Sequence, residues 1–181
     1  MAINVTADNL QDPDLAEIVE NVLKIWNVPA HRLLFEITET TFMCDVDANA
    51  DILNRLRAIG VRTSIDDFGS GYSSLICLKD LPADELKIDK AFIDPLVTDE
   101  TDRQIVESII RLAHAVDLDV VAEGIEDPQA MEILRTMGCD FAQGYHIGRP
   151  IPATQFTSGW IDSGPDDVQQ SPVDDLVSEE S

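Results

Sequence analysis

Side chains that can do metal and phosphate chemistry recur where short apolar runs of this sequence end. Asp66 and Asp67 are adjacent and directly follow one such run, and Lys87 lies within another. The whole set is Asn4, Glu36, Asp66, Asp67, Lys87, Glu123, Glu126 and Gln143. Carboxylate and amide oxygens without accompanying His or Cys are the donors that Mg²⁺ and Mn²⁺ prefer. The residue types therefore indicate a site for hard divalent cations.

The pair Asp66 and Asp67 favours a particular reaction class. Adjacent carboxylates could serve two cations that clamp the attacking and leaving oxygens of a phosphodiester. A lysine among carboxylates keeps its charge, so Lys87 could hold a phosphate oxygen or orient the attacking water. We therefore predict metal-assisted hydrolysis of a phosphate ester. A single acid at a strand end is more often a helix cap or a surface group, so the prediction depends on the set as a whole.

A glycine-containing segment follows the aspartate pair. Gly69 and Gly71 belong to the run GSGYSSL at 69–75. Such a run is either an ordinary connector or a loop that closes over a substrate, and glycine content alone does not separate the two. Its place directly after Asp67 favours the second interpretation, a lid at the mouth of the site.

Alternating helices and strands must position these groups. Apolar residues at helical spacing predict helices over 12–26, 45–59, 99–116 and 128–137. Asp-Pro pairs at 12–13 and 127–128 are placed to start two of these helices, and Gly60 and Gly138 to end two of them. Strand-like runs lie between the helices, at 3–6, 33–38, 61–66, 85–89, 118–122 and 140–145.

This alternation predicts an α/β fold of βα units with a mostly parallel sheet, either open or closed into a barrel. In such folds the carboxyl ends of the strands form the ligand-binding face, so the polar residues above should converge on one crevice. Six strands are two fewer than an eight-stranded barrel needs, and such barrels usually have about 200 residues or more. We therefore expect either an open sheet or an incomplete barrel.

The net charge of the chain argues against some classes of binding partner. The 181 residues include 12 Lys and Arg against 35 Asp and Glu, a formal charge of −23. Such a chain repels the phosphates of a DNA or RNA duplex and anionic membrane surfaces. It contains no apolar run of membrane-spanning length and no basic, apolar leader at its start, so we expect a soluble, cytoplasmic protein.

The acidic residues are not evenly distributed. Residues 162–181 hold seven of them among Ser, Pro, Gly and Gln residues, and no Lys or Arg. A polar segment of one charge sign does not bury enough apolar surface to offset the entropy of ordering. We therefore predict a folded domain over 1–161 and a disordered acidic tail over 162–181.

Five ordered motifs resemble those of EAL domains, the cyclic di-GMP phosphodiesterases of bacterial second-messenger signalling. They are FEITE at 35–39, SIDDFGSGYSSL at 64–75, LKID at 86–89, VAEGIE at 121–126 and QGY at 143–145. The resemblance covers about residues 2–156. It implies a TIM-barrel-like fold and Mg²⁺- or Mn²⁺-dependent opening of cyclic di-GMP to linear pGpG.

The resemblance also implies a role for each residue of the set. Metal ligands would be Asn4, Glu36, Asp66, Asp67 and Glu123, with Asp66 shared between two ions. Lys87 and Gln143 would position water and phosphate, and Glu123 would help as a base. Glu126 would anchor the segment from Gly69 through Gly71 to Leu75, which in the family links the site to dimer contacts.

The start of the sequence departs from the family pattern. The Glu-Ala-Leu stretch and the Arg that follows it lie in a strand before the one that carries Asn4, and this sequence begins at the Asn4 strand. The expectation is an N-terminally truncated, incomplete barrel of about six βα units. Loss of one charged ligand weakens metal binding, so the phosphodiesterase is expected to be impaired unless a swapped or partner-supplied element completes it.

Two further interpretations stay open at this point. The chain could be a non-catalytic module that binds cyclic di-GMP or a protein partner, or a fragment of a longer protein. Open strand edges also predict a homodimer formed through the exposed barrel edge or the lid region.

Overall fold

The structure is a computed structural model and describes residues 1–69 and 82–152. Six strands form a single sheet in chain order, and every neighbouring pair is parallel. They are β1 (Ala2–Asn4), β2 (Leu34–Thr38), β3 (Arg62–Phe68), β4 (Glu85–Ile88), β5 (Asp119–Ala122) and β6 (Phe141–Ala142). The predicted parallel α/β architecture is confirmed.

Helices connect the strands. They are α1 (Ala7–Leu10), α2 (Leu15–Trp26), α3 (Glu39–Met43), α4 (Val46–Ile59), α5 (Lys90–Ile93), α6 (Glu100–Ala115) and α7 (Pro128–Met137), with a 3₁₀ turn at Ala30–Arg32. The four longer ones, α2, α4, α6 and α7, match the helices predicted from apolar spacing. The short helices have fewer than two turns, so they are too short for periodicity to reveal.

The predicted helix boundaries hold at three of four positions. Gly60 and Gly138 end α4 and α7 in the left-handed conformation, at φ of 96° and 83°. The Asp127 side chain accepts from the Gln129 N–H at 2.7 Å and so caps α7, with a proline at its first position. The prediction at Asp12 is wrong. Its side chain accepts from the backbone N–H of Asp14 in a local turn, so the helix starts later, at Leu15.

One face of the sheet packs against the helices. Phe35 and Ile37 of β2 lie in a buried cluster with Leu53 and Leu56 of α4. A second buried cluster joins β3, β4 and β5 to α6 and α7. Because side chains alternate along a strand, the intervening residues Glu36, Ser64 and Lys87 point to the opposite face. That face carries the polar groups.

The sixth strand is shorter than the predicted 140–145. After Ala142 the backbone leaves the ladder: the Gln143 carbonyl accepts from the Ile125 N–H, and the His146 N–H donates to the Ile125 carbonyl, both at 3.0 Å. These bonds tie residues 143–146 to the connection between β5 and α7. The end of the strand is therefore held by a turn beside the site.

Within the described residues the sheet stays open, because β1 pairs only with β2 and β6 only with β5. None of the described helices combines the length and apolar character needed to cross a lipid bilayer. Gly71, with most of the predicted lid, and the predicted tail at 162–181 lie outside the described residues.

Candidate active site

A β-bulge places the two adjacent aspartates. Ile65 lies opposite Leu86 and Phe68 opposite Ile88, so β3 advances three residues while β4 advances two. Regular alternation would send Asp66 and Asp67 to opposite faces of the sheet. The extra residue and the left-handed backbone of Asp67, at φ of 55°, break this alternation. Carboxylate oxygens of both aspartates consequently lie within 4.8 Å of each other and of one oxygen of Glu123.

Lys87 forms the centre of this carboxylate group. It projects from β4 and is only 5% exposed. Its Nζ lies 2.6 Å from Glu123 Oε1, 3.0 Å from Glu36 Oε1 and 3.2 Å from Asp66 Oδ1. One ammonium thus links residues from β2, β3 and the end of β5, which confirms that the strand ends bring these side chains together.

Burial and neighbouring charges shift the pKa values of several groups in the site. Burial alone would lower the pKa of Lys87, but hydrogen bonds to Glu123 and Glu36 outweigh it and raise that pKa, so the ammonium keeps its proton. Burial raises the pKa of Glu123, against the opposing effect of Lys87. Burial and the neighbouring charges of Asp66 and Asp89 raise the pKa of Asp67. The carboxylates of Asp66 and Glu123 are therefore crowded and partly buried, and a positive charge among them is favoured.

The donor set fits a hard divalent cation. Asp66, Asp67 and Glu123 each offer a carboxylate oxygen, and these oxygens converge within 4.8 Å. Oxygen donors of this kind suit Mg²⁺, Mn²⁺ or Ca²⁺. These three residues could therefore hold such an ion, and Glu36 is tied to the same group through Lys87.

The predicted metal ligand Asn4 and the predicted positioning residue Gln143 lie at the margin of this group. Asn4 is exposed and sits in register with Glu36, on the neighbouring strand β1. Gln143 is also exposed, and its backbone N–H donates to the Ala122 carbonyl at 2.8 Å, next to Glu123. The structure thus places Asn4 next to Glu36 and Gln143 next to the connection that carries Glu123.

The predicted lid anchor has a different described partner. The exposed carboxylate of Glu126 pairs with the ammonium of Lys90 at the start of α5, and Lys90 also lies 3.8 Å from Asp94. Glu126 and Asp94 line a cavity of about 430 Å³ between α5 and α7. The segment that Glu126 was predicted to hold lies mostly outside the described residues, so its anchoring stays a prediction.

The structure adds two carboxylates that the sequence argument missed. Glu39, buried in α3, accepts from the Gly69 N–H at 3.0 Å and so holds the start of the glycine segment. Asp89 lies beside Asp67, whose pKa it raises, and its side chain caps α5 by accepting from the Ala91 N–H at 2.6 Å. Both lie within the motifs FEITE and LKID, so their signal was their place in those motifs rather than any spacing.

Comparison with known proteins places this geometry in a family. The EAL domain model matches residues 1–150. The bifunctional diguanylate cyclase/cyclic di-GMP phosphodiesterase MucR of Pseudomonas aeruginosa is 45% identical over 155 residues, which are 86% of this chain and 23% of MucR. The chain spans about a fifth of the length of the curated relatives it matches.

Solved structures agree with this result. A MucR phosphodiesterase structure in complex with c-di-GMP superposes with a TM-score of 0.81 at 45% identity, covering 86% of this chain and 63% of that one. A Klebsiella pneumoniae BlrP1 complex with manganese and cyclic di-GMP gives 0.77 at 31% identity, covering 82% and 38%. The six-stranded sheet is thus part of a TIM-barrel-like fold, and the chain belongs to the EAL domain family.

Proposed function

We propose that this chain carries the catalytic face of a phosphodiesterase that opens cyclic di-GMP to linear pGpG. The observation that carries the proposal is the convergence of Asp66, Asp67 and Glu123 around Lys87 at the strand ends. Relatives of the same family are named cyclic di-GMP phosphodiesterases, and a relative at 45% identity was solved with c-di-GMP. The chemistry of the site and the family membership thus point to one substrate class.

The proposed cation site uses Asp66, Asp67 and Glu123, with Glu36 and Asn4 completing the ligand set on the adjoining strands. Asp66 would be shared between two ions, either Mg²⁺ or Mn²⁺. When bound, the cations supply Lewis-acid chemistry, polarising phosphoryl oxygens and offsetting the charge that develops on them. The manganese complex of a relative supports this assignment.

The residues around the cations supply binding and proton transfer. The protonated ammonium of Lys87 holds a phosphate oxygen and keeps the scissile group oriented. Glu123, whose pKa burial raises, accepts the proton of the attacking water. Gln143, at the margin of the site, orients the water or a phosphate oxygen through its amide.

The sheet edges, open within the part of the chain that the structure describes, suggest how copies of this chain associate. Ile25 and Trp26 of α2, which follows β1, and Phe141 and Tyr145 at the β6 end are each more than half exposed. Exposed apolar side chains, and strand edges that have no partner strand within the described residues, favour pairing with another chain. We propose that the protein forms a homodimer through such an edge. We also propose that it is cytoplasmic. A strictly monomeric mass in light scattering at micromolar concentration would contradict the homodimer.

Product analysis tests the activity. The purified chain is incubated with cyclic di-GMP and Mg²⁺ or Mn²⁺, and pGpG is separated by chromatography. Asp66→Asn and Lys87→Gln should each reduce its formation at least about a hundredfold. Asp51→Asn, the same change on the exposed face of α4, is the matched control and should turn over like the wild type.

Two results would contradict this proposal. Turnover that survives both site variants would place the chemistry elsewhere. Binding of cyclic di-GMP with no pGpG under either metal would support the alternative, a non-catalytic cyclic di-GMP-binding module.

A further inference from the structure

The cation site already holds a positive charge. Two of the three converging carboxylates, Asp66 and Glu123, lie 3.2 Å and 2.6 Å from Lys87 Nζ. At these distances the ammonium takes up oxygens that a divalent cation would also need. Lys87 therefore places a positive charge among the same oxygens that a divalent cation would bind.

The charge balance explains why a lysine lies there. Three partly buried carboxylates, those of Glu36, Asp66 and Glu123, surround it, and the carboxylate of Asp67 lies next to two of them. Grouped and partly buried charges of one sign are costly unless a counter-charge compensates them. Among the described residues, Lys87 is the cationic side chain within ion-pair distance of this group. Its charge compensates part of the repulsion between these carboxylates.

We propose that Lys87 is a built-in competitor for the divalent cation, and that cation binding releases it toward the substrate. This inference rests on the proposed cation site. A cation that enters must share Asp66 and Glu123 with the ammonium, and the two positive charges repel each other. Loading the site thus weakens the ion pairs of Lys87 and frees its N–H donors. An anionic phosphodiester at the open side of the site then offers new partners for those donors.

Loss of Lys87 should tighten cation binding, whereas loss of an active-site residue usually weakens binding. Lys87→Gln removes the competing charge and keeps a polar side chain of similar reach. Mn²⁺ binding, measured by isothermal titration calorimetry without substrate, should become about tenfold tighter or more. Lys87→Arg keeps the charge and should not gain affinity. Unchanged or weaker Mn²⁺ binding by Lys87→Gln would overturn the inference.

A matched variant separates competition from the general effect of one lost charge. Arg62 lies at the opposite end of the strands, where it pairs with Asp119 at 3.3 Å and Glu85 at 3.7 Å. Arg62→Gln changes the charge of the protein by the same amount, and it should alter Mn²⁺ affinity far less than Lys87→Gln does. An equal gain in both variants would contradict a local role for Lys87.

A measurement on the wild type covers the case in which Lys87→Gln does not fold. Amine-selective labelling with mass-spectrometric readout reports how accessible each lysine is. Lys87, buried and tied to three carboxylates, should label slowly without metal, and saturating Mg²⁺ should accelerate its labelling relative to the exposed Lys24. Mg²⁺ binding that leaves the labelling of Lys87 unchanged would also overturn the inference.

One further variant distinguishes failure of the inference from failure of the proposed site. Asp66→Asn removes a proposed ligand and should abolish Mn²⁺ binding. If Asp66→Asn binds Mn²⁺ like the wild type, the proposed site itself is wrong. If Asp66→Asn abolishes binding while Lys87→Gln binds like the wild type, the site stands and competition by Lys87 is refuted.

Discussion

Single residues in this site take their roles from their neighbours. Asp67 shares a face with Asp66 only because its backbone adopts a φ of 55° within a bulge. Lys87 keeps its proton in a buried place because Glu123 and Glu36 accept from it. Sequence alone identified these residue types, but it contained no sign of the bulge, since alternation is the default for a strand.

Gly144 is a second residue whose role is set by its neighbours, because they leave no space for a side chain there. A Cβ built there would lie 2.1 Å from the Ile125 carbonyl oxygen and 2.2 Å from its nitrogen, both backbone atoms. Gly144→Ala should therefore push the Gln143 turn away from the connection after β5 and lower the free energy of unfolding by about 1–3 kcal/mol or more. Urea unfolding followed by circular dichroism measures this.

The matched control for that prediction is Gly148→Ala. A Cβ at Gly148 meets no atom within 4 Å, so its stability should stay within about 0.5 kcal/mol of the wild type. Equal stabilities for Gly144→Ala and Gly148→Ala would show that the close contact at Ile125 is not a constraint in solution.

At the level of elements, α6, β5 and β6 meet at Asp140, at the end of the sheet away from the site. Its Oδ2 accepts from the Val120 N–H at 2.8 Å and lies 2.7 Å from His114 Nε2. Burial alone would raise the pKa of Asp140, but the His114 ring and the Val120 N–H outweigh it and lower that pKa. This carboxylate therefore holds the start of β6, the strand that leads to Gln143.

The lowered pKa fixes the sign of a pH effect. The contribution of Asp140 to stability is present above the ordinary aspartate pKa of about 3.9, and it is lost as the pH falls through the lower folded value. Asp140→Asn should cost about 1 kcal/mol of unfolding free energy at pH 6, since the pair is partly exposed. The difference from the wild type should shrink as the pH is lowered from 6 to 3, because the Asp140 carboxylate is then progressively protonated.

Glu107→Gln provides the comparison, because Glu107 forms an exposed pair with Arg111 within α6. It should change stability by no more than about 0.5 kcal/mol at either pH. A larger effect than that of Asp140→Asn, or an Asp140→Asn difference that grows in acid, would contradict the assigned role of Asp140.

The sequence could predict the long helices, whose signals lie within the helix itself. It could not predict features that depend on contacts between distant segments. Apolar periodicity located α2, α4, α6 and α7, and Gly60 marked the end of α4, because both signals act within one helix. The predicted start of α2 was wrong, since the Asp12 side chain accepts from the Asp14 N–H in a turn that precedes the helix. The contact of Glu39 with Gly69 and the proximity of Asp89 to Asp67 join distant segments, which no local pattern encodes.

At the level of the whole molecule, charge and metal binding are coupled. A chain of formal charge −23 that gathers several carboxylates at one site should gain stability from a specific cation. At an Mn²⁺ concentration of about 100 times Kd, the gain is about 2.7 kcal/mol. Thermal unfolding should therefore shift up by several degrees in the wild type. NaCl at equal ionic strength should not reproduce the shift, and a shift of the same size in Asp66→Asn would attribute it to general screening.

The most direct test of the central claim, that these strand ends hold divalent cations, is anomalous X-ray scattering from crystals soaked in Mn²⁺. We predict anomalous density among the carboxylates of Asp66, Asp67 and Glu123, with Lys87 Nζ moved away from Asp66 and Glu123. Manganese density at other acidic surfaces, with this carboxylate group empty and the ion pairs of Lys87 intact, would contradict the claim.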